Sequence, residues 1–329
     1  MSSDLLDLKA MAMPDMAAAE QVRRRSQQVL RPRGALRRLD EMAVWLAGWQ
    51  HTPRPTVDNP LALIFAGDHG VTAEGVSAYP SRVTAAMVEA LRSGTATAAV
   101  MARHLGVPLQ VVDVGVGKPS GNIRVEPALD EAQFARAVER GRATVAGADR
   151  ADVLVIGEIG IGNTTAAAAM SLGLFGGRAA DWVGPGAGLD AAGVIHKTGV
   201  VAAAARRVGG ADPLEVLRQL GGWELAAMAG AVIEARRRSI PTLLDGFVST
   251  AAVIPLELAH PGYLDHCWPA HLSPEPGHSR LLAALGRAPI LDLEMRLGEG
   301  SGALAALPLL GLAARSVVEV TTFEEAGLE

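Results

Sequence analysis

The chain has 329 residues, 49% hydrophobic but only 4% aromatic, which predicts a core built from Ala, Val and Leu. The 30 basic and 35 acidic residues give a net charge of −5, a balance that gives no support to nucleic-acid binding. A single cysteine, Cys267, excludes an internal disulfide and a cysteine-rich metal site. The N-terminus lacks an apolar signal core, and no uncharged apolar stretch of about 18 residues occurs, so we expect a cytoplasmic protein without a membrane span.

Helical patterning comes first along the chain, since residues 15–30 and 36–46 carry heptad-like apolar spacing. Strand and helix patterns then alternate. The predicted strands are 61–66, 109–115, 153–156, 179–183, 240–245 and 289–293. The predicted helices are 84–104, a helix that follows a loop at 116–130 and runs to 142, and then 163–175, 190–208, 213–237, 249–259 and 302–314. This alternation predicts an α/β fold, a Rossmann-like parallel sheet with helices on both faces.

The chain shows neither an internal repeat of fixed period nor a low-complexity linker. We therefore expect residues 1–329 to form one unit. The N-terminal helices within 1–50 and parts of 190–238 are expected to form a smaller, mainly helical lobe of that unit.

Polar and glycine-rich segments directly follow most of the predicted strands. They are G-D-H-G (67–70), D-V-G (113–115), G-E-I-G-I-G-N-T-T (157–165), G-P-G-A-G (184–188), L-D-G-F (244–247) and L-G-E-G-S-G (297–302). In parallel sheets, ligands bind beyond the carboxyl ends of the strands, where such loops meet. The sequence therefore predicts a ligand cleft at this edge of the sheet.

The loop 157–165 has the composition of an anion site. Its glycines and helix-starting residues include Gly160, Gly162, Asn163 and Thr164. Amide N–H groups and the dipole of the following helix attract a phosphate at such a place. Glu158 is unusual there, because a carboxylate repels phosphate unless it acts on a sugar hydroxyl or on a developing cation. An ordinary strand-to-helix turn with an exposed Glu fits this loop equally well when it is taken alone.

A second acid, Glu299, lies in the segment R-L-G-E-G-S-G (296–302), between two glycines. The glycines let the backbone approach a ligand closely. Apolar neighbours such as Leu297 would partly desolvate the carboxylate and raise its pKa toward the range of a general base. A helix-end turn with a solvated Glu is the competing interpretation.

Lys197 is one of only three lysines and follows the glycine loop 184–188 by one or two helical turns. It would place an ammonium group near a phosphate, although an ordinary surface lysine has the same spacing.

The strand at 240–245 ends in a single Asp followed by Gly-Phe, without the paired acids of magnesium-dependent transferases that bind diphosphorylated ribose. A nucleotide monophosphate donor that needs no metal fits better. The sequence also has neither a P-loop nor a G-x-S-x-G elbow.

Asp68 and His69 follow the first strand, and we interpret them as a structural corner rather than as a catalytic pair or a metal site. Three further histidines, His266, His271 and His278, have the spacing H-x4-H-x6-H, which fits no short metal-ligand pattern well. We predict no metal site and no cofactor. A metal-dependent hydrolase built on these residues stays open as a third interpretation.

The loops taken together resemble those of the nicotinate-nucleotide–dimethylbenzimidazole phosphoribosyltransferase family. The segments that carry the resemblance are G-E-I-G-I-G-N-T-T, L-L-D-G-F-V-S-T-A-A, H-L-S-P-E-P-G-H and R-L-G-E-G-S-G, with R-P-R-G-A-L-R-R-L-D, A-G-D-H-G-V and G-G-W-E-L-A-A-M-A-G. They occur in the family's order and cover nearly the whole chain.

The resemblance implies that nicotinate mononucleotide donates its phosphoribosyl group to a nitrogen of 5,6-dimethylbenzimidazole, giving nicotinate and α-ribazole 5′-phosphate for cobalamin. It implies that Glu299 is the general base and that Glu158 lies near the ribose. Phosphate would be held by Lys197 and by the two glycine loops, which include Gly160, Gly162, Asn163, Thr164, Gly186 and Gly188. Ile159 and Leu297 would wall the base, and Asp245 and Ser273 lie in matching segments with less defined roles. Family members are homodimers, so we expect a homodimer.

Tyr79 and Met87 depart from the family pattern, because some relatives carry Ser and Gln at these positions facing the acceptor base. The reaction class is unaffected, but adenine, another benzimidazole or a phenol stays open as the acceptor. A catalytically silent paralogue that binds nucleotides is the alternative from another class of protein. Retention of both Glu158 and Glu299 argues against it.

Overall fold

A parallel sheet of five strands forms the centre of the protein, seen here in a computed structural model that describes residues 8, 11–148 and 151–328. The strands are β1 (Pro60–Gly67), β2 (Leu109–Gly115), β3 (Val153–Ile159), β4 (Thr242–Leu244) and β5 (Cys267–Pro269). Their spatial order is β2-β1-β3-β4-β5, and every neighbouring pair is parallel. The predicted α/β fold is therefore confirmed.

Helices cover both faces of this sheet. They are α1 (Met16–Gln28), α2 (Arg37–Trp49), α3 (Val83–Arg92), α4 (Thr97–Leu105), α5 (Glu131–Ala146), α6 (Asn163–Phe175), α7 (Ala191–Arg207), α8 (Pro213–Val216), α9 (Trp223–Arg237), α10 (Phe247–Ala259), α11 (Pro276–Leu285) and α12 (Ser301–Val318). Alternate strand residues point to opposite faces. Accordingly, Leu63 and Phe65 join a core with α5, α6, α9 and α10, whereas Ala62 and Ile64 join one with α2, α4 and α12.

Two predicted strands are wrong. Residues 179–183 form a short 3-10 turn, Ala179–Asp181, and residues 289–293 contribute only an isolated bridge between His271 and Leu291. The fifth strand of the sheet is instead β5, a segment of three residues that no hydrophobic run distinguishes. The sequence prediction therefore had the wrong segment at this edge of the sheet.

Two predicted helices are interrupted. The predicted helix 84–104 divides into α3 and α4, because Gly94 adopts a left-handed φ of 77° after α3 ends. The predicted helix 213–237 divides into α8, a π-helical turn at Leu217–Gly221, and α9, with Gly222 at φ 110° between the last two. Both breaks occur at glycines, which reach positive φ without the steric penalty of a side chain.

By length and composition alone, α12 could cross a membrane, but 56% of its 18 residues are buried within the protein. It packs against α1, α2, α4, β3 and β4, and its N-terminus lies at the carboxyl edge of the sheet. These contacts are those of a core helix. The division of 1–329 into one unit with a small helical lobe stays a prediction; α1 and α2 pack against α12, and α7 packs against α6.

We predict that Gly141→Ala destabilises the protein by about 2–3 kcal/mol, the range for an overpacked core. A methyl group at Gly141 of α5 would lie 1.8 Å from the carbonyl oxygen of Ala227 in α9, so the two helices must separate. Gly199→Ala is the matched control, since a methyl group there meets no atom within 4 Å, and helix propensity favours Ala. Urea unfolding of both variants checks the prediction, and equal stabilities would contradict it.

Candidate active site

The loops after β3, β4 and β5 enclose a cavity at the carboxyl edge of the sheet. Its lining includes nine of the residues predicted from the sequence: Glu158, Ile159, Gly160, Asn163, Thr164, Gly186, Asp245, Ser273 and Leu297. Two predicted residues outside the lining bond directly to it: Lys197 to Thr164 and Glu299 to Glu158. The cleft predicted from the strand-end loops therefore exists, and most of the predicted residues converge on it.

Glu158 lies at the end of β3 and is buried, with only 9% of its surface exposed. One carboxylate oxygen, Oε2, accepts a hydrogen bond from the side-chain amide of Asn163 at the start of α6. Burial, with the nearby carboxylates of Asp245 and Glu224, raises the pKa of Glu158 to about 8. In the unliganded protein this acid therefore holds a proton near neutral pH.

Glu299 lies in the turn before α12, and its backbone N–H donates to the carbonyl oxygen of Glu158 at 3.0 Å. This bond joins the loop that carries Glu158 (157–165) to the loop that carries Glu299 (296–302). The two acids are 141 positions apart in the chain (299 − 158). The Glu299 side chain is 2% exposed, and its Oε2 has no hydrogen-bond partner among the described residues. Burial raises its pKa, and a backbone hydrogen bond from Ala98 at the start of α4 opposes that effect.

Lys197 projects from α7 toward the α6 N-terminus, where its Nζ donates to Thr164 Oγ1 at 2.9 Å and to the Gly184 carbonyl at 3.2 Å. An ammonium group carries three donors, so these bonds leave one for a ligand. The side chain is 1% exposed, and this burial lowers its pKa to about 8, while the carboxylate of Glu275 opposes the effect. The lysine is therefore a buried cation bonded to Thr164 of the cavity lining and not a surface residue.

The glycines of the two predicted anion loops occupy backbone positions that a side chain would disturb. A methyl group at Gly160 would lie 2.6 Å from the carbonyl oxygen of Gly67, and Gly162 has a φ of 100°. In the second loop, Gly186 has a φ of 53° and Gly188 a φ of 116°. The Gly186 N–H donates to Glu275 Oε1 at 2.9 Å, so one amide of this loop already has an anionic partner.

Asp245 and Ser273 follow β4 and β5 and are both buried. The carboxylate of Asp245 accepts backbone hydrogen bonds from Gly300 and Ala303 at the start of α12. The backbone N–H of Ser273 donates to the Nδ1 atom of His278 at 2.9 Å. Burial raises the pKa of Asp245 and lowers that of His278 to about 3, so this histidine is neutral.

Four residues were predicted to face an aromatic acceptor base. Leu297 is 49% exposed at the cavity mouth, and Ile159 is half-buried beside it. Met87 of α3 packs with Ile159 against the same apolar cluster. Tyr79 is 52% exposed and, like Met87, lies outside the cavity lining.

The remaining acids and histidines have other partners. His69 Nε2 lies 2.5 Å from Glu224 Oε1, both fully buried under the glycine loop, and Asp68 accepts from the Gly117 N–H at 2.8 Å. The His266 Nε2 atom lies 3.1 Å from the carbonyl oxygen of Val232 in α9. In the part of the chain that the structure describes, no three His, Cys, Asp or Glu residues are grouped to share a metal ion.

The model of a phosphoribosyltransferase family, DBI_PRT, matches residues 11–328 of the chain. A curated relative from Rhizobium meliloti (strain 1021) is 46% identical over 98% of this chain and 95% of its own length, and is named nicotinate-nucleotide–dimethylbenzimidazole phosphoribosyltransferase. The chain belongs to the nicotinate-nucleotide–dimethylbenzimidazole phosphoribosyltransferase family. A relative of the same name from Cereibacter sphaeroides is 45% identical over 97% of this chain and 94% of its own length.

A solved structure of this phosphoribosyltransferase family has the same fold. The crystal structure of CobT from Thermus thermophilus superposes with a TM-score of 0.90 at 40% identity, covering 95% of this chain and 99% of that one. The resemblance stated from the loop motifs is therefore confirmed over nearly the whole chain. The chain is a phosphoribosyltransferase with an α/β fold.

Sequence reasoning missed several residues that line the cavity of this phosphoribosyltransferase. The charged or polar ones are His271, Glu275 and Arg296, and Phe247 and Val248 contribute apolar surface. His271 and Glu275 stand in the segment H-L-S-P-E-P-G-H, whose histidines were considered from the sequence only as possible metal ligands. Arg296 directly precedes Leu297 in the loop that carries Glu299. This position next to a predicted site residue could have indicated Arg296 from the sequence.

Proposed function

We propose that this enzyme transfers the phosphoribosyl group of nicotinate mononucleotide to 5,6-dimethylbenzimidazole. The products are nicotinate and α-ribazole 5′-phosphate, which is used to assemble the nucleotide loop of cobalamin. One observation carries the proposal: the backbone bond from Glu299 to Glu158 brings two buried acids together at a cavity whose lining includes Thr164, the hydrogen-bond partner of the buried Lys197. The names of the close relatives support the same substrates.

The donor phosphate binds in this proposal between the two glycine loops. Lys197 supplies the positive charge, and Thr164 shares its ammonium group. Backbone amides within 160–165 supply further donors, because the start of α6 favours an anion. Gly186 and Gly188 shape the second loop beside the phosphate, while their own amides donate to Glu275 Oε1 and to the Pro185 carbonyl. The 5′-phosphate thereby fixes the ribose at the carboxyl edge of the sheet, where Glu158 faces the sugar.

Glu158 acts on the charge of the donor. The pyridinium nitrogen of nicotinate mononucleotide is cationic, and a cation beside a buried carboxyl group favours its ionised form. When the bond from C1′ to that nitrogen breaks, its electron pair moves to the pyridine ring and C1′ gains positive character. The ionised Glu158 stabilises that developing charge, as fixed anions do in a site of low dielectric.

Glu299 acts on the acceptor as general base. One nitrogen of the benzimidazole attacks C1′, and the proton on the other nitrogen moves to the Glu299 carboxylate. Its raised pKa suits this task, because a base is most effective when its pKa lies near the working pH. The buried Oε2 without a partner is available to accept the proton.

The acceptor lies in this proposal between Ile159 and Leu297, whose apolar side chains suit a planar ring. Met87 packs against the same apolar cluster as Ile159, and we propose that Met87 and Tyr79 set which bases are accepted. Ser273 is proposed to support the phosphate side of the cavity.

We also propose that the enzyme is a homodimer and that it works in the cytoplasm. The exposed apolar side chains of Met13, before α1, and Met16, at its start, support a dimer contact through the N-terminal helices.

Incubation of the enzyme with nicotinate mononucleotide and single bases, read by mass spectrometry, tests the proposal. The panel contains 5,6-dimethylbenzimidazole, unsubstituted benzimidazole, adenine and phenol. We expect α-ribazole 5′-phosphate and nicotinate in equal amounts, with dimethylbenzimidazole reacting fastest. Faster reaction with another base would change the acceptor alone, whereas no product with any base would overturn the proposed reaction.

A further inference from the structure

The carboxylate of Asp245 contacts, through both of its oxygens, the backbone at the start of α12, directly after Glu299. Oδ2 accepts from the Gly300 N–H at 3.1 Å, and Oδ1 accepts from the Ala303 N–H at 3.0 Å. The first amides of a helix have no partner within the helix, so they are satisfied by a capping side chain, by water or by a ligand. Asp245 therefore caps α12 from the end of a different element, β4.

The turn held by this cap has an unfavourable backbone. Gly298 has a φ of 82°, Glu299 a φ of 61° and Gly300 a φ of 75°. Glycine adopts these angles freely, but a residue with a side chain does so only when its surroundings enforce them. The conformation that aims the Glu299 carboxylate therefore depends on contacts outside the turn.

Asp245 is itself held on the sheet. Its own N–H donates to the Ile156 carbonyl of β3 at 3.2 Å, and the carboxylate is 1% exposed. His271 Nε2 lies 3.8 Å from Oδ1, and its ring packs so closely on Gly302 that a methyl group there would be 2.0 Å from Cδ2. The loop that carries Glu299 is thus connected to β4 through Asp245 and to β3 through the Glu158 carbonyl.

We propose that Asp245 is a positioning residue, which fixes the turn that presents Glu299 through backbone amides and not by contact with substrate. The family resemblance had left the role of Asp245 undefined. The inference rests on the proposed role of Glu299 as base, because a fixed turn matters to turnover only if Glu299 takes part in it.

Steady-state kinetics of Asp245→Asn test the proposal. The substituted amide keeps the shape of the side chain but directs an NH₂ group at one of the two backbone donors, so half of the cap is lost. We expect kcat to fall about tenfold to a hundredfold, as for a small displacement of a reacting group, with both KM values within about twofold. A raised KM with an unchanged kcat would overturn the proposal in favour of direct substrate contact.

Asp130→Asn is the matched control, because Asp130 caps α5 by accepting from the Gln133 N–H at 2.7 Å, away from the cavity. The same chemical change there is expected to leave kcat and KM unaltered. A similar loss of kcat in both variants would show a general effect of weakened helix caps and would overturn the proposal.

Hydrogen exchange of the segment 296–303 gives a readout that does not depend on activity. In Asp245→Asn we expect its amides to exchange at least about tenfold faster, since the local opening becomes less costly. Unchanged exchange would overturn the cap. If Glu299→Gln retains normal activity while exchange in Asp245→Asn accelerates, the proposed base is wrong and the positioning of the turn is upheld.

Discussion

Glu299→Gln is expected to lower kcat by at least about a hundredfold, the usual range for loss of a general base. Gln occupies the same volume but cannot accept the proton from the benzimidazole nitrogen. Because binding of the donor does not use this group, the donor KM should change little. Product formation from nicotinate mononucleotide and dimethylbenzimidazole, measured at saturation, checks the expectation.

Stability of the same variant should not fall with its activity. The folded-state pKa of Glu299 is raised, so between the ordinary glutamate pKa and this raised value the folded protein binds a proton that the unfolded chain has released. Its contribution to stability therefore declines as pH rises above the ordinary glutamate pKa, and at neutral pH a neutral Gln relieves that cost. A Tm equal to or above that of the parent, with activity lost, is the expected combination.

Glu294→Gln is the matched control for this variant. Glu294 stands five positions earlier and is exposed to solvent. Like Glu299 it has a positive φ, of 54°. The same change there should leave kcat unaltered. Nearly normal turnover in Glu299→Gln, or an equal loss in Glu294→Gln, would remove Glu299 from its proposed role.

The elements with strong local signals could be predicted from the sequence. The structure has α6 at Asn163–Phe175, the range predicted, because Gly162 and Asn163 mark its start and Gly176 its end. The run of β-branched residues at the start of β3 predicted a buried strand, and all of Val153–Ile156 is buried. Here the local preference and the tertiary environment agree.

The far edge of the sheet could not be predicted in the same way. β5 contains Cys267, Trp268 and Pro269, which form no apolar run and no alternation. Its strand conformation comes from pairing with β4, where Leu243 is opposite Trp268. Conversely, residues 179–183 have local strand character but no neighbouring strand to pair with, so the chain makes a turn there. Tertiary context decides short strands of this kind.

The candidate site shows the same division. The acids of two glycine loops were found because each loop follows a strand or precedes a helix, and parallel strands bring such loops to one edge. The Asp245 cap could not be found, since it joins residues 55 positions apart and requires the paired register of β3 and β4. Glu275 was likewise visible only once the loop 184–188 was seen against it.

Lys197→Ala is expected to raise the KM for nicotinate mononucleotide about tenfold to a hundredfold, while kcat falls by less. A hydrogen bond between a buried ammonium group and a charged partner contributes about 1.5–3 kcal/mol, and this range corresponds to that change in affinity. The phosphate is distant from the bond that breaks. Loss of the Lys197 contact with the phosphate therefore weakens binding of the ground state and of the transition state alike. Initial rates over a range of donor concentrations measure both constants. Lys118→Ala, at an exposed lysine, should change neither.

The pH dependence gives an independent check on Lys197. Its pKa is lowered to about 8, so the free enzyme loses this positive charge as pH rises through that value. The kcat/KM for the donor reports ionisations of the free enzyme, and it should therefore decline above pH 8 in the parent protein. Lys197→Ala has no such group and should lack that decline. A basic limb that persists unchanged in Lys197→Ala would assign the ionisation, and with it the phosphate contact, to another residue.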